Sequence, residues 1–284
     1  MTAIFPRDRV TIVGVLNATP DSFSDGGRIV GEGSSVNLAA AIDHSASLLR
    51  EGAHVLDVGG ESTRPGARTV PVDEELARTA PLIEALCKRF AVPISIDTRK
   101  SEVAEAALEA GAAIVNDVSG LRFDASLAEV TAQRGAGLVL GHLRGEPATM
   151  QDAPHFDDPL AEVSAELGAS VECARAAGVA AERIAVDPGI GFGKRQPDNL
   201  ALIANVGALR ERLGLPVWVG PSRKAFLGAI TGEPTEARDA ATAAACAVAV
   251  FAGADAVRVH DVAGAARAVA VGRALREARR GGRV

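Results

Sequence analysis

Residues 93–117, PISIDTRKSEVAEAALEAGAAIVND, contain a strand, a helix and a second strand in one stretch. The run PISIDT sets Ile94 and Ile96 on either side of Ser95 and closes on Asp97, a short strand that ends on an acid. Residues 100–110 fit one helix, and AAIVND then closes on Asn116 and Asp117. The same pattern recurs on both sides. VTIVGVLN closes on Asn17, HVLDVGG on Asp57, GLVLGH on His142, RIAVDPG on Asp187, PVWVGPSRK on Ser222 to Lys224, and AVRVHD on Arg258 to Asp261. Eight such runs with room for a helix after each predict an α/β fold, a single (β/α)8 TIM barrel spanning residues 1–284. In that fold polar strand ends share one mouth.

The helices expected between the runs cover residues 34–51, 73–90, 100–110, 125–134, 158–177, 197–213, 238–252 and 262–279. Ser34 and Ser35 offer caps for the first and Gly52 stops it, while Asp73, Glu74 and Glu75 favour the start of the second. Two stretches interrupt the rhythm, residues 18–33 and 60–71. Both are rich in Gly, Pro and Ser, and both follow strand ends, so they predict long loops after strands 1 and 2, above the mouth.

A chain of 284 residues that is 48% hydrophobic buries one large core. Its net charge of −6, with acids and bases interspersed, argues against a nucleic-acid or anionic-membrane partner. Cys87, Cys173 and Cys246 are widely spaced, with no CxxC pair, and read as reduced thiols of a cytoplasmic protein. No secretory signal opens the sequence, and the alanine-rich run between Asp239 and Asp255 is shorter than the ~20 residues of a membrane span.

Two constellations carry chemistry. The loops after the seventh and eighth strands, the usual anion site of such barrels, hold Ser222, Arg223, Lys224, Arg258 and His260. The bland alternative pairs Arg223 and Arg258 with acids such as Asp239 or Asp261. The second set, Asp97, Asn116 and Asp187, suits a flat, nitrogen-rich heterocycle, since a carboxylate accepts paired hydrogen bonds and an amide both donates and accepts. Capping of the following helices is the alternative there. DPGIGFGK, residues 187–194, lacks the spacing of a phosphate loop; its glycines allow close backbone approach and leave Phe192 as an aromatic wall. Asn17 could offer a hard cation such as Mg²⁺ its amide oxygen. His44, His54 and His155 receive no role, and His142 is at most a supporting group, with no acidic partner near it in sequence.

Taken in order, GVLNATPDSFSDGG, VLDVGGESTRPGA, ISIDT, GAAIVNDVSG, DPGIGFGK, VGPSRKAFLG, RDAAT and VRVHDV resemble the dihydropteroate synthases, the folate-pathway branch of the pterin-binding barrel family. The likeness runs from about Val10 to about Val262. It implies transfer of a dihydropterin methylene carbon from its diphosphate to p-aminobenzoate, giving 7,8-dihydropteroate and pyrophosphate. By position it implies a pterin pocket of Asp97, Asn116, Asp187 and Lys224. A diphosphate and Mg²⁺ site would draw on Asn17, Thr63, Arg258 and His260, an amine side on Phe23, Thr63, Arg64, Phe192 and Ser222, and Val259 would also bind substrate. Catalytic roles would fall to Asp97, Lys224, Arg258 and His260, with Asn17 as metal ligand, small molecules as partners, and a homodimer as the assembly. One departure is Gly141 in VLGHL, where the family commonly carries methionine, so Leu140 or Leu143 fills the gap or the pocket is looser. A methyltetrahydrofolate-dependent methyltransferase, or a catalytically silent pterin-binding homologue, is the competing reading.

Overall fold

The computed structural model describes residues 4–19, 37–63 and 66–281. Among these, strands and helices follow in the order β1 (Thr11–Asn17), α1 (Leu38–Glu51), β2 (Val55–Gly59), α2 (Val72–Arg89), β3 (Ile94–Asp97), α3 (Ser101–Glu109), β4 (Ile114–Asp117), α4 (Ser126–Arg134) and β5 (Gly137–Gly141). The second half runs α5 (Pro159–Ala176), β6 (Ile184–Asp187), α6 (Gln196–Ala204), α7 (Val206–Leu213), β7 (Trp218–Val219), α8 (Ala225–Thr231), α9 (Asp239–Ala252), β8 (Ala256–Val259) and α10 (Val262–Gly281). All ladder pairs are parallel, in the order β6-β5-β4-β3-β2-β1-β8-β7. A single bridge, Val186 to Val217, joins the two ends and closes the (β/α)8 barrel.

Successive strand residues face opposite sides, and that alternation builds the interior in layers. Val13, Val55, Ile114, Val139, Ala185, Trp218 and Ala256, one from each of seven strands, pack with Phe5 into a small apolar cluster that forms the barrel floor. Phe5 meets Trp218 edge-to-face at 5.9 Å, and its ring occupies the space a side chain at Gly137 would need. Two residues further along the same strands stand Asp57, Asn116, Gly141, Asp187, Gly220 and Arg258, with Asp97 above Ser95. The polar layer therefore lies directly on the floor. The other strand face, including Ile12, Leu56, Ile96, Leu138 and Val257, packs into the large core under the helices.

Several sequence expectations are corrected. The helix expected over residues 197–213 is two, α6 and α7, because the Asn205 side chain bonds back to the Ala201 carbonyl at 2.8 Å and Gly207 presses against the Ala252 carbonyl. An unforeseen helix, α8, follows the SRK turn directly, so the described residues hold ten α-helices rather than eight. The α1 cap is Asn37, whose side chain accepts from Ala40 N at 3.1 Å; Ser34 and Ser35 lie outside the described residues. The Gly52 stop holds, in the left-handed conformation at φ 112°.

The closing seam depends on Asp255. Its Oδ2 accepts from Val217 N at 3.0 Å and Arg210 Nε at 2.8 Å, and its backbone bonds both Val217 and Thr11. Asp255→Ala leaves the buried Val217 N–H without its acceptor, so urea denaturation should show a loss of about 1–3 kcal/mol. An unchanged urea midpoint would contradict this role of the carboxylate.

Candidate functional site

A cavity of about 1130 Å³ opens at the C-terminal ends of the strands. Its floor is the polar layer, and the loops after β1, β2, β6 and β7 form its sides. Asp97, Asn116, Asp187, Phe192, Ser222, Lys224, Arg258, His260, Asn17 and Thr63 all line it, although they come from distant parts of the chain. Phe23 and Arg64 lie outside the described residues. Val259 is not among the lining residues; one position after an inward-facing arginine, its side chain turns outward into the core beneath the helices.

Arg258 lies between two carboxylates. Its Nε donates to Asp57 Oδ2 at 2.5 Å and its NH2 to Asp97 Oδ2 at 2.6 Å. The guanidinium thus pairs with neither Asp239 nor Asp261. Arg223 does follow the bland alternative, holding Asp239 with two bonds of 2.7 and 2.8 Å. Asp57, fully buried, also accepts from Asn116 Nδ2 at 3.1 Å. That bond takes one of the amide's two N–H donors, and Asn116 also lines the cavity. Burial pushes Asp97 up to about 7, helped by Asp57 and Glu75 and opposed by Arg258 and Lys224. Asp187 is raised by burial too, against the Gly189 N–H that bonds its Oδ1 at 2.7 Å. Although burial opposes its charge, Arg258 is held above the ordinary arginine range by Asp57 and Asp97.

At the rim, His260 Nδ1 meets Ser222 Oγ at 2.8 Å and its Nε2 lies 3.5 Å from the Asn17 amide nitrogen. Lys224 sits over the Phe192 ring, 3.7 Å from its centroid. The Phe192 loop is a wall pressed against the segment after β5. A side chain at Gly189 would lie 1.8 Å from the His142 carbonyl, and one at Gly193 would lie 2.4 Å from that of Arg144. Gly141 is equally confined: a Cβ there would lie 2.7 Å from the Val118 backbone. The space a methionine would need at this position is filled by main chain rather than left open. Leu140 and Leu143 are both buried nearby.

Sequence reasoning missed three groups. Asp57 was visible as an acid within an apolar run, but its partners lie 59 and 201 residues away. His142 does have an acid, Glu166 Oε2 at 3.0 Å from Nε2, supplied by α5. Lys194, read only as the end of a glycine-rich motif, is buried and bonds His142 Nδ1 at 2.8 Å. Burial draws Lys194 down to about 7 and His142 down to about 4.

The chain matches the family described as pterin binding enzyme over residues 13–260. It is 46% identical to a dihydropteroate synthase of Synechocystis over 268 residues, covering 94% of this chain and 90% of that one. A Xanthomonas albilineans dihydropteroate synthase solved with 4-aminobenzoic acid superposes with a TM-score of 0.85 at 45% identity, covering 94% and 93% of the two chains. For a Burkholderia cenocepacia dihydropteroate synthase complexed with 7,8-dihydropteroate the values are 0.84 and 43%, with 97% and 94% covered.

The low His142 value fixes a sign. Between pH 6.5 and about 4 the unfolded chain takes up a proton that folded His142 refuses, so this residue makes stability fall as pH drops through that window. An NMR titration should find its midpoint near 4, and a midpoint at 6 or above would overturn the burial argument.

Proposed function

Because the chain belongs to the pterin-binding enzymes, and among them to the transferases called dihydropteroate synthases, we propose that it condenses 6-hydroxymethyl-7,8-dihydropterin diphosphate with p-aminobenzoate, releasing pyrophosphate. One observation carries this reading: the inward polar layer. Asp97, Asn116, Asp187 and Arg258 meet on the floor of one cavity, with Lys224 and His260 at its sides.

Departure of pyrophosphate leaves positive charge on the methylene carbon, shared with the dihydropterin ring. Negative charge beside the ring lowers that barrier, because fixed charges in a water-poor site need no reorganisation as the reaction proceeds. Asp187 and the Asn116 oxygen are the acceptors for the ring's nitrogen edge, and Asp97 adds charge that Arg258 tempers. Lys224 reaches the same space from the SRK turn and holds the ring carbonyl. Donors for the leaving group lie at the rim, where His260, Ser222 and Asn17 stand together. Arg258 lies behind them, its charge drawn toward the floor by two acids. A neutral aromatic amine is already nucleophilic, so the amine side needs placement more than a base, and Phe192, Thr63 and Ser222 line the cavity where it would enter.

Magnesium belongs to the same reading. Among the described residues no group of three or more His, Cys, Asp or Glu side chains could hold a metal ion. That donor set fits a cation held by the amide oxygen of Asn17 and by the diphosphate itself, in line with magnesium's use of few protein ligands. When bound, it would neutralise charge on the departing phosphate oxygens. A cytoplasmic homodimer completes the proposal; the last two helices expose Val248, Val271 and Leu275, and no described helix is long and apolar enough to cross a membrane.

With magnesium present, pyrophosphate release should require both substrates. Release indifferent to p-aminobenzoate would count against the synthase reading, and no release at all would speak for the silent or methyl-transferring alternatives. Asp187→Asn keeps an acceptor for Gly189 N while replacing the charge beside the ring. It should lower the rate by about 2–4 kcal/mol, roughly 30-fold to 1000-fold. A loss below threefold removes Asp187 from its place at the ring.

A further inference from the structure

Lys194 lines the cavity yet is 3% exposed. Its ammonium has three N–H donors, and three acceptors take them: His142 Nδ1 at 2.8 Å, the His142 carbonyl at 3.2 Å and the Phe192 carbonyl at 2.9 Å. With its donors engaged in this way, it is built into the wall rather than presented to an anionic ligand.

The rest of the loop is fastened in the same manner. Gly189 N is held by Asp187, Gly191 N by Asn199 Oδ1 at 2.7 Å, and the Gly191 carbonyl by Gln151 Nε2 at 2.8 Å. Glycines at 189 and 193, both at positive φ, let the backbone lie against the His142 and Arg144 carbonyls with no space for a side chain between. The Phe192 carbonyl is the tie next to the aromatic ring, and lysine alone among side chains brings three diverging donors from one atom to such a corner. Because His142 Nδ1 accepts from Lys194, the imidazole proton sits on Nε2 and is donated to Glu166, itself held by Arg144 and Arg122. One chain of bonds therefore runs from α5 to the aromatic wall.

We propose that Lys194 is a positioning residue for the amine half of the cavity: by fixing the Phe192 carbonyl it sets the ring that stands against Lys224, and so determines how tightly the aromatic amine is held. This rests on the placement of p-aminobenzoate beside Phe192. Lys194 touches neither reacting atom; it acts through the loop.

A double-mutant cycle on the full-length protein tests it, with both substrates varied. Lys194→Met should raise KM for p-aminobenzoate at least tenfold while KM for the dihydropterin diphosphate and kcat stay within threefold. Phe192→Ala should also raise the amine KM, and adding Lys194→Met to it should change that KM by less than twofold. Independent, multiplying effects of the two substitutions, or an equal rise in both KM values, overturn the proposal. An amine KM untouched by Phe192→Ala overturns the placement of the amine itself, which separates the two failures. Nitrogen NMR of the unaltered protein gives a readout that needs no variant to fold: at neutral pH His142 should carry its proton on Nε2, and the Nδ1–H tautomer would defeat the proposed bond to Lys194.

Discussion

A guanidinium held between two carboxylates sets the interior of this barrel. Burying ionised groups costs several kcal/mol each unless they find partners, and Arg258 bonds one oxygen of Asp57 and one of Asp97 across sequence separations of 201 and 161 residues, leaving Asp57 Oδ1 buried without a hydrogen bond. Because the three come from β8, β2 and β3, their pairing requires those strands to be neighbours around β1 in the observed register. The same pairing shapes the site. It places Asp97 at the cavity with its charge partly offset, and through Asp57 it holds one N–H of the Asn116 amide.

Strand alternation explains why the layer exists at all. A polar residue two positions beyond a floor residue must face the same interior, so each strand needs only one well-placed side chain to contribute to a shared surface. Gly141 at the end of β5 and Gly220 just past β7 occupy the corresponding positions, and both line the cavity. At Gly141 the main chain of Val118 comes close enough to fill the space a side chain would take.

Much of this was legible in the chain, for physical reasons. Short strand-like runs ending in Asp97, Asn116, Asp187 and Arg258 signal buried parallel strands and a common mouth, and the cavity gathers all four residues. What escaped were interactions whose partners have no local signature. Asp57 looks like a stray acid in a strand until Arg258 is beside it, and His142 looks unpartnered until α5 brings up Glu166. Helix boundaries escaped for another reason. Asn205 breaks a continuous apolar pattern with one side-chain bond, and α8 starts from the SRK turn without a side-chain cap. The outward turn of the Val259 side chain was not legible because a family motif counts consecutive residues, whereas a strand presents alternate ones.

The barrel floor also gives the molecule a built-in optical reporter. The chain has one tryptophan and no tyrosine, and that tryptophan, Trp218, is buried at the base of β7 against Phe5. Its emission senses whether the first and last strands have come together around it. The indole lies one side-chain layer below the cavity, so assembly of the cylinder and filling of its mouth are optically separable events in this protein.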